Sequence, residues 1–182
     1  MLSNARSFVW SSLFSLALTQ TATIRFFNPA NVCQFGLFAQ CSNLPPGVCC
    51  FISGLATCAD FRTNGGNGVA TLFLAANDNQ CGIPILQLAN GVCACPNGAP
   101  IISAANWRVV TRAVDGEKQE EEEECTPVNP DVYGWKDEDG ATWVLHETDD
   151  VDTFAKIAVA AANDSLDQID VGKLIKEHGT EV

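Results

Sequence analysis

Residues 42–51 read SNLPPGVCCF. Two adjacent cysteines behind a double proline admit three readings: a disulfide staple, a metal site, or part of a film-forming surface protein. The choice fixes the compartment and most of the fold class. Adjacent cysteines do not easily bridge each other, because the ring is strained and neighbouring side chains in a strand point to opposite faces. Cys49 and Cys50 are therefore expected to tie to two different partners, one on each side of a strand. That makes residues 48–52 a central node.

Nine cysteines occur in the 182 residues: Cys33, Cys41, Cys49, Cys50, Cys58, Cys81, Cys93, Cys95 and Cys125. Eight of them lie between positions 33 and 95, and an even set in so short a stretch predicts four bridges, with 105 connectivities open. The pair Cys93–Ala94–Cys95 is the natural complement of Cys49–Cys50, although spacing assigns no bond. Structural zinc uses C-x2-4-C knuckles or cysteine with histidine. This stretch has no histidine and its only close spacings are CC and CxC, so disulfides are expected and no cofactor or metal. Cys125 is left over behind a run of glutamates, which make it a poor nucleophile. It is read as unpaired, as the site of an intermolecular disulfide, or as displacing one of the eight.

Disulfides require an oxidising compartment, and the first residues agree. Arg6 precedes FVWSSLFSLAL at 8–18, an apolar run too short to span a bilayer, which needs about 20 residues. Small residues follow. Residues 1–21 are read as a signal peptide. The triplet NDS at 163–165 makes Asn163 a candidate glycosylation site.

Charge divides the remainder. Residues 22–114 carry four arginines against two aspartates, whereas residues 115–182 carry five lysines against twenty acids. The overall charge of −12 argues against a nucleic-acid partner, which needs clustered Lys and Arg, and against electrostatic adhesion to an anionic membrane. Three segments are expected after the leader: a disulfide-rich β domain at 22–112, an acidic linker at 113–130, and an acidic hairpin-helix segment at 131–182.

The first of these reads as strands every eight to twelve residues, punctuated by Gly, Pro and Asn, with NGGNG at 64–68 as a hairpin connection. The expectation is mainly β: a small antiparallel sandwich or barrel, followed by an acidic α+β tail. In that tail, VYGWKDEDGATWVLHE predicts a hairpin about DEDG that brings Trp135 near Trp143. Two helices follow. The first has Val151, Phe154, Ile157 and Ala158 at helical spacing. The second opens with a Ser165/Gln168 capping box, carries Leu166, Ile169, Leu174 and Ile175, and ends at Gly179.

Catalytic patterns are sparse. A Ser–His or Cys–His nucleophile needs a base, and the only histidines are His146, read as a strand residue, and His178, read in a helix's last turn. Asp60 and Asp78 are read as loop caps, and a hydrolase would need a cleft that gathers Asp60, Asp78 or Glu147. DEDG resembles the middle of an EF-hand loop, but Trp135 and His146 stand where the first and last acidic ligands belong.

Two resemblances remain. Eight cysteines around a doublet resemble the hydrophobins, secreted surface-active fungal proteins, although CAC replaces their second doublet. The run ATIRFF…SNLPPGVCC…ATLFLAANDNQCG is similar to small secreted cysteine-rich proteins of fungi, some of them like βγ-crystallin or killer-toxin Greek-key modules. Phe27 and Gly36 match the crystallin motif while the second aromatic is displaced to Phe35. This resemblance implies an extracellular module without agreed chemistry. The expectation is a secreted, non-enzymatic binding module, in an effector, toxin-like or cell-surface role, with an extracellular protein, glycan or membrane surface as partner. A hydrophobin-type surface protein and a small acid-using hydrolase are the alternatives.

Overall fold

Apolar and polar residues alternate in the short runs of the first half, and each run buries one face as a strand. The computed structural model describes residues 20–28, 32–76, 79–96, 99–110, 126–163 and 168–182. Cys125, Asp78, Ser165 and nearly all of the expected leader lie outside them. Along the chain come β1 (Ala22–Phe27), β2 (Gly36–Leu44), β3 (Val48–Ala56), β4 (Cys58–Thr63), β5 (Gly68–Ala76), β6 (Asn79–Ala89), β7 (Cys93–Ala94) and β8 (Ile102–Val109). Then follow β9 (Thr126–Val128), β10 (Val132–Lys136), β11 (Thr142–His146), α1 (Val151–Asn163), α2 (Gln168–His178) and β12 (Thr180–Glu181). The protein is mainly β, with antiparallel sheets and a small helical tail.

The strands form two sheets. The first has the order β12-β11-β10-β2-β1-β4-β7, and the second β6-β5-β8-β3-β9. Pairing is antiparallel except between β3 and β9, which run parallel. Between the sheets lies a core that includes Ile24, Phe26, Leu44, Phe61, Leu72 and Trp107. The Trp107 indole is 1% exposed and its N–H donates to the Leu44 carbonyl at 2.8 Å. The largest side chain of this core is thus buried with its polar atom satisfied.

The stretch 42–51 carries the chain from one sheet to the other. Gly47 has φ +80° and the Val48 N–H reaches the Pro45 carbonyl at 3.4 Å. Proline followed by glycine at the centre is the composition a type II turn demands. After the turn, Cys50 faces the inter-sheet core and bonds Cys41. Cys49 faces away and bonds Cys81. The doublet therefore divides between two partners, as the alternation of a strand requires.

The other two bridges are Cys33–Cys93 and Cys58–Cys95. The expected partnership between the doublet and Cys93/Cys95 is thus corrected. β7 pairs with β4 at the far edge of the first sheet, whereas β3 belongs to the second. The NGGNG reading is corrected too. β4 and β5 lie in different sheets, so residues 64–67 form a crossover, held by the Thr63 hydroxyl donating to the Gly66 carbonyl at 3.0 Å. Both sides of β4 are already occupied, by β1 and β7, which leaves β5 to pair with β6 and β8.

The acidic segment joins the first sheet. β10 pairs with β2 through five residues, from Val132 opposite Gln40 to Lys136 opposite Gly36. β10 and β11 form the expected hairpin, with Trp135 opposite Trp143. The helices pack on one face of it, burying Phe154, Ile157, Val171 and Ile175 against Leu37, Tyr133 and Leu145. Ala39 on β2 packs against both this cluster and the inter-sheet core. The opposite face holds Phe27, Phe38, Cys58, Val132 and Val144. Each ion pair among the described residues has both partners in the same half of the chain. Strand pairing and apolar burial, rather than the charge contrast, therefore hold the halves together. The compositional boundary at 113–130 is real in the sequence, but backbone hydrogen bonds span it.

Candidate functional site

The sequence candidates separate in space. Asp60 does not cap a loop: it sits inside β4, 6% exposed. Glu147 follows β11, and β10, β2 and β1 lie between that strand and β4, about 19 Å of sheet at ordinary strand spacing. The two carboxylates do not share a cleft. His146 is an exposed strand residue, as expected. His178, in the last turn of α2, places Nδ1 3.0 Å from the Asp150 carboxylate. DEDG is a hairpin turn, where the Ala141 N–H donates to Asp139 at 3.2 Å. Asn163 is the last residue of α1. The sulfurs of Cys33, Cys93 and Cys95 lie within 4.8 Å of one another, yet all three are in disulfides and offer no thiolate to a metal.

Asp60 belongs to a polar row on the face opposite the inter-sheet core. In register across the strands stand Gln40, Arg25 and Asp60. The Arg25 Nε donates to Gln40 Oε1 at 2.6 Å, and Gln40 Nε2 donates to the Ser42 hydroxyl at 2.7 Å. The Ser42 backbone N–H donates to the Asp131 carboxylate at 2.7 Å, which anchors the start of β10. Arg25 lies 5.1 Å over the Phe38 ring. Burial pushes the Asp60 carboxyl above its ordinary value, and the nearby charges of Arg25, Arg62 and Lys136 pull it partly back. One of its oxygens is buried without a hydrogen-bond partner, and the other lies 3.7 Å from the Arg62 Nε. The row braces the sheet and seats β10.

A ligand-sized space exists on the other side of β10. A cleft of about 450 Å³ lies between α1 and the chain leading into β10. Helix α1 supplies Val151, Phe154, Ala155 and Ala158, residues that share one helix face. Asn129, Pro130 and Tyr133 form the second wall, while Ser53 and Glu147 close the ends. Val151, read at helical spacing with Phe154 and Ile157, is 62% exposed here, whereas Ala160 is buried along with them. The Glu147 N–H donates to the Asp131 carbonyl at 3.1 Å, which fixes that end of the cleft. Tyr133 is 4% exposed and packs on Phe154 with ring centroids 5.0 Å apart. Burial pushes its hydroxyl up to about 12, so it is a neutral donor. Ser53 and Tyr133 also line a smaller apolar crevice of about 50 Å³, between β3, β2 and the helices, with Leu37, Ile52 and Ala161 in its walls. The cleft has the volume of a small-ligand site, and its lining is more polar than apolar.

Sequence reasoning named Glu147 and Val151 but did not assemble the cleft. The only available signal was the helical spacing of Val151, Ala155 and Ala158, which also describes a buried stripe.

Fold and cleft define a disulfide-clamped, two-sheet β protein with a two-helix cover on one flank. The chain belongs to the ARB_05566_N family, described as an N-terminal domain, which it matches over residues 23–131. No curated protein and no solved structure matches it. The matched stretch starts in β1 and ends at Asp131, the residue that holds Ser42, so the hairpin and helices follow it. No helix among the described residues is long and apolar enough to cross a membrane, and the four disulfides are consistent with an extracellular setting.

Proposed function

We propose that the protein is secreted and acts outside the cell as a binding module, with the cleft between α1 and β10 as its recognition site. The observation that carries this reading is a ligand-sized space on a covalently fastened frame. Ser53 enters it from β3, the strand whose Cys49 and Cys50 fasten it to two other strands. Bridges of this kind typically contribute about 2–4 kcal/mol each by restricting the unfolded chain, which suits a protein exposed to proteases. The polar groups around the space offer hydrogen bonds and one carboxylate, a recognition set without a paired base and nucleophile.

The test has two arms. Material recovered from culture medium is sequenced at its N-terminus: a start near Ala22 supports secretion, and retention in the cell with residues 1–21 attached overturns it. Binding to arrays of cell-surface glycans and extracellular peptides is then compared between the wild type and Ala155→Trp. Ala155 is exposed, so the indole fills the cleft without entering a core. Binding that disappears in this variant supports the reading. Equal binding by both proteins, or none by either, overturns it.

A further inference from the structure

Resting on the cleft reading, we infer that the ligand is cationic: the side chain of an arginine presented by a partner polypeptide, with its guanidinium at Glu147 and its stem along α1.

Among the described residues, Glu147 is the only charged residue lining the cleft. It is exposed and, like Asp149 and Asp152 near it, makes no ion pair among the described residues. Its immediate sequence is His-Glu-Thr-Asp-Asp-Val-Asp, so the potential around it is negative. Lys156 is the one basic residue of α1. It follows Ala155 and so points about 100° away from the lined face. A ligand cation therefore meets an uncompensated carboxylate, and the chain's net charge of −12 draws it in from a distance.

The remaining walls suit a long aliphatic stem with a flat, donor-rich head. Val151, Ala155 and Ala158 form an apolar stripe on which methylenes can lie. Ser53 and Asn129 supply oxygen acceptors, and a guanidinium has five N–H donors to share between them and Glu147. Tyr133 also lines the cleft and is 4% exposed, and its hydroxyl, kept neutral by burial, can donate to a backbone carbonyl flanking an arginine. A neutral sugar fits less well. The two aromatic rings of the cleft pack on each other and are more than nine-tenths buried, so neither offers a free face for stacking.

The experiment titrates the full chain with acetyl-Arg-Arg-Arg-amide and, separately, with chitotriose, following amide chemical shifts. The peptide is expected to shift resonances of 129–133, 147 and 151–158. Its affinity should fall about tenfold or more in Glu147→Gln and in Ala155→Trp and stay unchanged in Asp170→Asn, an exposed acid outside the cleft. An equal loss in Asp170→Asn overturns the inference, because it reports only diffuse charge. Chitotriose bound in the cleft, indifferent to Glu147→Gln and lost in Ala155→Trp, overturns the cationic assignment but leaves the cleft as the binding site. Peptide shifts confined to residues outside the cleft overturn the inference as well.

Discussion

Phe38 lies over Gly134, so that a methyl group added at Gly134 would collide with the Cζ edge of the Phe38 ring. The two residues face each other across the β2–β10 pair, the seam where the acidic segment joins the cysteine-rich sheet. Glycine is required there because the ring occupies the space of a side chain. Phe38 is 1% exposed, packed by Phe27 at 5.6 Å and by Arg25 from above, so it has little freedom to retreat.

Gly134→Ala should therefore destabilise the protein by about 1–3 kcal/mol, the usual cost of overpacking. The loss should be concentrated at the seam. Amide hydrogen exchange is expected to accelerate in β10 and β11 more than in β5 and β8, and uniform acceleration would contradict the account.

A second prediction concerns Lys176. Its ammonium lies 2.7 Å from the Asp137 carboxylate and 4.5 Å from the centre of the Trp143 ring, and the Trp135 indole donates to the same carboxylate at 2.7 Å. This links α2 to the β10–β11 turn. The side chain is partly exposed, so Lys176→Met should cost only about 0.5–1 kcal/mol. Thermal melts of the variant at low and high salt check this, and the difference from wild type should narrow as salt rises.

Acid should loosen the helical flank. The hydrogen bond from Lys176 holds the Asp137 carboxyl below its ordinary value. The Asp150 carboxyl is held down chiefly by the backbone N–H of Thr153, with smaller help from the Thr153 side chain and His178. A lowered folded value stabilises at pH above the ordinary carboxylate range, near 3.8, and the contribution is lost as pH falls through the lowered value. Exchange protection of α1 and α2 is expected to fall in that range before that of β5 and β8.

Asp60 should act in the opposite direction. Its folded value is raised by burial, so its contribution is complete below the ordinary carboxylate value and is lost as pH rises through the raised one. Denaturation midpoints measured against pH should show the wild type losing ground relative to Asp60→Asn as pH climbs through this window. A difference that does not change with pH would contradict the assignment.

The bridges should open in a set order. Cys93 is exposed and Cys33 half-buried, whereas Cys41 and Cys50 are 2% and 0% exposed. Limited reduction followed by alkylation and peptide mapping should label Cys33 and Cys93 first, and Cys41 and Cys50 last.

Local features were legible in the residues. The DEDG hairpin, the Trp135–Trp143 pairing, the end of α2 at Gly179 and the division of Cys49 from Cys50 each depend on a few neighbouring residues and on the periods of strand and helix. Asp60 was not legible, because CADFRT alternates as a strand while an aspartate in it reads as a turn. Nor was the crossover at 64–67. Glycine-rich connections look the same whether they return a strand to its neighbour or pass it to another sheet.

By itself the sequence determined a β-rich chain with cysteines enough for four bridges, a charge boundary near residue 113, and a hairpin followed by two helices. Composition, spacing and periodicity are local properties, and they suffice for these. Only the tertiary structure decided which cysteines meet, that β10 extends the sheet at β2 almost a hundred residues earlier in the chain, and that α1 leaves a cleft beside Tyr133 and Glu147. Those outcomes depend on which distant surfaces bury each other best, and no short window of residues contains both.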